Sequence, residues 1–187
     1  ARRSTVYDET RVQYDNVLVL DSGGLLYPMP SLYPPHDTTA PVVAGLIGDV
    51  VDGLGYDAIN VSSYDLAGGV DSLLAMDSRM DAKWLSANIV WKDSGELIFT
   101  PDATFTFGDM TVGVFGLIDQ RSMGVPILGN DSPAEALDPF TVAEEEVAKL
   151  RKSCDMVIAL CFMNLDRVKE LATTVPGINL AIVSHTL

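Results

Sequence analysis

Continuous apolar runs alternate along this chain with segments whose apolar residues recur every three or four positions. The first pattern suits strands buried on both faces, and the second suits helices that bury one face. Runs of the first kind predict strands at 16–21, 57–62, 84–90, 97–100, 103–107, 111–118, 156–161 and 178–184. The stretch "APVVAGLIGDVVDGLG" (40–55) predicts a helix, with Pro41 near its start and Gly53 and Gly55 closing it. Residues 65–81 predict a helix in their later part, with Asp71 as its cap. Two more helices are predicted from Asp138 toward Ser153 and over 164–175. Gly108 and Asp109 stand between two strand runs as a hairpin turn.

This βα alternation with an inserted hairpin predicts an α/β fold, a layered sandwich in which central mixed sheets are flanked by helices. Residues 1–187 are read as a single domain. The Pro-rich stretch 27–41 is expected to be a long loop within it, carrying His36. The last predicted strand is apolar and stops near residue 187, and an uncovered apolar edge invites further pairing. More polypeptide is therefore expected beyond it. The start at Ala1, without methionine or an apolar leader, reads as a processed product or a fragment.

Composition narrows the possible partners. With 48% hydrophobic and 20% charged residues the chain is globular in character, and its formal charge is −14. No basic stripe is available to neutralise phosphates, so nucleic acid is excluded as a partner. No apolar run reaches the roughly 18–20 residues of a membrane-spanning helix. Cys154 and Cys161 fit no metal or haem spacing and read as buried free thiols. On one strand they would lie about 23 Å apart, too far to bridge. Trp84 and Trp91, seven positions apart, are expected on opposite faces of one strand.

Polar groups that could carry chemistry gather at predicted strand ends: Ser22 in "DSGG" and Ser62, Ser63, Tyr64 and Asp65 in "VSSYD". A serine nucleophile needs a base within hydrogen-bond reach, and His185 is the only candidate near such an end. No nucleophile elbow is present, and the "DSGGL" turn lacks the spacing and lysine of a phosphate loop.

The ordered landmarks "NVLVLDSGG", "LGYDAINVSSYDLAGG", "LSANI", "VGVFGLID", "DMVIALCFMN" and "VPGINLAIVSHT" resemble the calcineurin-like metallophosphoesterases of the 5′-nucleotidase and UDP-sugar hydrolase group. The resemblance covers nearly the whole chain. It implies a fold built around two divalent metals that clamp a phosphate and activate a bridging water. The first family motif, an Asp-x-His on the opening strand, has no counterpart in this chain. By the same resemblance Gly24 stands where an Asp bridges the metals, Ser63 replaces a ligating Asn, and Tyr64 replaces the catalytic His. Phe162 and Leu187 each replace a ligating His, and His185 is kept.

These departures imply a degenerate domain with no catalytic residue, metal or other cofactor, working as a scaffold or binding module. The alternative is an active phosphoesterase whose two divalent ions draw their missing ligands from outside the chain. The resemblance also implies an extracytoplasmic setting, periplasmic or cell-surface. Its partners would be proteins or further domains of the same gene product, a multihaem cytochrome module among the candidates.

Overall fold

The computed structural model describes residues 2–32, 36–119 and 132–184. Helix α1 (Arg2–Gln13) leads to β1 (Leu20–Asp21), and α2 (His36–Gly53) leads to β2 (Ala58–Asn60). A 3₁₀ turn (Asp65–Gly68) and α3 (Val70–Asp77) precede β3 (Lys83–Leu85) and β4 (Ile89–Trp91). The hairpin β5 (Asp102–Phe107) and β6 (Met110–Ile118) follows. The chain closes with β7 (Ala134–Ala136), α4 (Pro139–Leu150), β8 (Met156–Phe162), α5 (Leu165–Thr174) and β9 (Leu180–Val183).

Strands β1, β2 and β3 form a parallel sheet in that order, and β4 pairs antiparallel with β7. A mixed sheet runs β5-β6-β8-β9, antiparallel at the hairpin and parallel elsewhere. The expected layered α/β sandwich is therefore present. Its layers follow from the alternation of side chains along β6 and β8. Phe115, Leu117, Val157, Ala159 and Cys161 point toward α4 and α5, whereas Val112, Val114, Ile158 and Leu160 pack against Ala58 and Leu85 between the sheets. Burial on both faces is why the 111–118 run is continuously apolar. A side chain at Gly116 would run into Asn60 Oδ1 and the Leu85 carbonyl, so glycine is what lets the two sheets approach there.

The hairpin turn is as expected: Phe107 pairs with Met110, Gly108 has φ +58°, and among the described residues no non-glycine residue, Asp109 included, has positive φ, the signature of a II′ turn. Asp138 caps α4 through Phe140 N and Thr141 N, with Pro139 in the first turn, and Asn164 caps α5 through Arg167 N.

Other expectations are corrected. The single strand foreseen at 84–90 is two strands of different sheets. Ser86 N donates to Thr100 O and Ala87 N to Gly116 O. Asn88 then exchanges bonds with both backbone groups of Ile118 and donates to Leu137 O. These bonds re-aim the chain, so Trp84 and Trp91 both pack against one core cluster and not on opposite faces. Residues 97–100 make only isolated bridges, Leu97 to Val90 and Thr100 to Leu85. The 16–21 run keeps only two ladder residues, because the Asp57 side chain takes Val19 N in place of a strand partner. Helix α2 starts at His36, so the tail of the Pro-rich stretch is helical and Pro41 lies inside the helix. Asp71 does not cap α3; Gly69 holds that position and makes no side-chain bond. Cys154 precedes β8, with its N–H bonded to Leu150 O.

Both cysteines are free and buried, and burial pushes the Cys161 thiol up to about 12. Since the thiolate is the reacting species, Cys161 should stay unmodified by iodoacetamide at pH 8 in the native protein and react fully in guanidinium. Mass spectrometry of the native and unfolded protein reads this directly. Native alkylation of Cys161 would contradict the packing.

Candidate active site

The C-terminal ends of β1, β2, β6 and β8 lie together, as open α/β sheets place their functional loops. After β1 the chain turns through Gly23 (φ +97°) and Gly24 (φ +88°), conformations that only glycine adopts without strain. Gly23 N donates to Asp21 Oδ1 at 2.9 Å, which begins the turn. Asn60, at the end of β2, ties this turn to β6 by donating to Ser22 O at 3.2 Å and Leu117 O at 2.9 Å. Ser184, beyond β9, donates its hydroxyl to Ser22 O at 3.0 Å.

Asp65 holds the centre of this region. Its carboxylate, 1% exposed, accepts from Gly24 N (2.8 Å), Leu25 N (2.9 Å), Leu26 N (3.0 Å), Ser62 N (3.1 Å) and Ser62 Oγ (2.6 Å). Ser62 Oγ in turn accepts from Tyr64 N and Asp65 N, both at 3.2 Å. Burial pushes the Asp65 carboxyl above its usual range, and the bonds from Ser62, Gly24, Leu26 and Leu25 oppose that shift. The reciprocal Ser62–Asp65 bonds have the pattern of a capping box. They commit the Ser62 hydroxyl proton to a carboxylate, which is not how an activated serine nucleophile is arranged.

Four of the positions singled out by the resemblance meet here. The Tyr64 and Phe162 rings pack edge to face, with centroids 5.6 Å apart and planes at 62°. A Cβ placed on Gly24 would lie 3.4 Å from Phe162 Cε2, so the aromatic ring fills the space beside the glycine. Ser63, 2% exposed, joins Ser62 to Tyr64 on the same turn. His185 and Leu187 lie outside the described residues.

The chemistry open to these groups is limited. Gly24 and Phe162 carry no donor atom, Ser63 and Tyr64 carry hydroxyls, and Asp65 is already saturated by five donors. Among the described residues no group of three or more His, Cys, Asp or Glu side chains is placed to hold a metal ion. The anchoring role of Asp65 goes beyond its position in the "SSYD" motif. The Ser-x-x-Asp spacing at 62–65 is the signal that could have revealed it. A second acid–base contact near this end of the sheets left no local signal. Arg167 Nε meets the buried Asp119 at 2.9 Å and its guanidinium stacks on Phe140 at 4.2 Å.

No protein-family profile matches the chain. It is similar to a 5′-nucleotidase of Vibrio parahaemolyticus, with 30% identity over 115 residues that cover 59% of this chain and 20% of that protein. It is also similar to Protein UshA of Salmonella pullorum, with 29% identity over 146 residues, 70% of this chain and 26% of that one. The chain thus spans about a fifth to a quarter of the length of these two relatives. Among solved structures, the calcineurin-like phosphoesterase YfkN of Bacillus subtilis superposes with a TM-score of 0.79 at 23% identity, over 97% of this chain and 62% of that one.

Proposed function

We propose that this chain, similar in sequence to 5′-nucleotidases and UshA and in fold to a calcineurin-like phosphoesterase, is a catalytically degenerate member of that metallophosphoesterase group serving as a scaffold or binding module in an extracytoplasmic assembly. The observation that carries this reading is the packing of Phe162 against Tyr64 and Gly24. A two-metal phosphoesterase centre needs carboxylate, imidazole or amide donors converging from several strand ends. The residues here do not fit that set. The bridging position has no side chain, a ligand position is a phenyl ring, and the position of the acid–base group is a phenol in place of an imidazole. We therefore assign no hydrolytic step to them.

In this reading the molecule contributes surface, and its partners are proteins or further domains, a multihaem cytochrome module being one candidate. No described helix is long and apolar enough to cross a membrane.

The test is phosphate release from a nucleoside 5′-monophosphate and from a sugar nucleotide, with manganese, cobalt or zinc present, together with elemental analysis of the purified protein. Rates at background and metal well below one equivalent are expected. Two equivalents of metal and a metal-stimulated rate that disappears in His185→Ala would instead establish an active centre completed by ligands from elsewhere.

A further inference from the structure

We propose that the cleft between α1 and α2 is a binding site for an anionic amphiphile, a carboxylate on an aliphatic chain, held by Arg2 and Arg3 at its mouth. The cleft encloses about 720 Å³, within the range of small-molecule sites, and Leu25, Ile47, Val51 and Leu54 give it an apolar wall. Val50 stands on its rim, 61% exposed, as Val42, Val43 and Leu46 of the same helix also are to a similar degree.

The cations are what set the ligand's sign. This chain has 26 acidic and 12 basic residues, so carboxylate partners are plentiful. Arg79, Lys149, Arg167 and Lys169 each hold at least one, and Arg11 and Arg151 bind backbone carbonyls instead. Among the described residues no carboxylate lies within ion-pair distance of Arg2 or Arg3, although both line the same cleft. Arg3 Nη1 donates to Tyr56 Oη at 3.4 Å, and Tyr56 Oη is 3.0 Å from Tyr7 Oη. Asp21 acts on Arg3 from beyond ion-pair distance, and most of the guanidinium N–H groups of both arginines are left to receive a carboxylate, for which a planar fork is well matched. Cations at the mouth and an apolar wall along α2 match a ligand with one charged end and an aliphatic body.

The site stands on different residues from the metal question apart from Gly24 at its inner end, so the two readings fail independently. The experiment is calorimetric titration of the intact chain with decanoate, decanol and decyltrimethylammonium. Saturable 1:1 binding of decanoate is expected, with the uncharged and cationic analogues at least about tenfold weaker, as loss of a charge-assisted hydrogen bond implies. Arg2→Gln/Arg3→Gln and, separately, Val50→Glu should each weaken decanoate by a similar factor. Lys152→Gln, a distant exposed cation, should leave it unchanged. The altered side chains are at the surface or on the cleft rim, and matching circular dichroism melts confirm that the variants are folded. Absence of saturable binding, equal affinity for the cationic analogue, or an unaltered constant in the double variant would each overturn the proposal.

Discussion

Asp65→Ala should lower the free energy of unfolding by about 3–4 kcal/mol, a large fraction of what holds a domain of this size together. The substitution strands four backbone N–H groups and the Ser62 hydroxyl, with the Leu26 and Ser62 donors fully buried and those of Gly24 and Leu25 partly so. Unsatisfied buried donors cost about 1–3 kcal/mol each, and relaxation of the 23–26 turn recovers part of the sum. Asp65→Asn should be milder, about 2 kcal/mol, because its oxygen still accepts while its NH₂ faces other donors. Guanidinium unfolding followed by circular dichroism measures both. A change under about 1 kcal/mol for the alanine variant would mean that water replaces the carboxylate, and that Asp65 is not the anchor described here.

Phe162→Ala should cost about 3–5 kcal/mol, as removal of a buried aromatic side chain usually does. The ring is 2% exposed and touches both the Tyr64 ring and the space above Gly24. Removing it opens a cavity among groups that have their own anchors and so cannot collapse freely. Added manganese or zinc should leave the unfolding midpoint of both wild type and variant unchanged, since a ligand stabilises only by binding the native state. A midpoint that rises with metal in the wild type would contradict the degenerate reading while leaving the packing argument intact. A loss below about 1 kcal/mol would contradict the packing itself.

The two predictions differ in how far the sequence foretold them. Phe162 was legible in "ALCFMN" by resemblance, as an aromatic ring in a ligand's place. Its contact with Tyr64 was not, because 98 positions separate the two residues and nothing in either local pattern encodes the meeting. The convergence of Gly24, Ser63, Tyr64 and Phe162 followed from placing each at a strand end. Asp65 was visible as the last residue of a Ser-x-x-Asp spacing, yet three of its five donors come from 24–26, forty positions upstream.

The sequence by itself determined the layers of this protein. Burial on both faces demands an unbroken apolar run, and burial on one helical face demands a 3.6-residue period, so both are written locally in the chain. The breaks in that regularity were decided by tertiary structure. Asn88 divides an apolar run into strands of two sheets because Ile118 and Leu137 supply its partners, and Asp57 delays the start of the β1 ladder by taking Val19 N. The physical reason is the same in both cases. An apolar side chain gains stability from any dry neighbour, so composition and period suffice to place it. A buried polar group is stable only beside specific complementary atoms, and where those atoms lie is settled when distant segments meet.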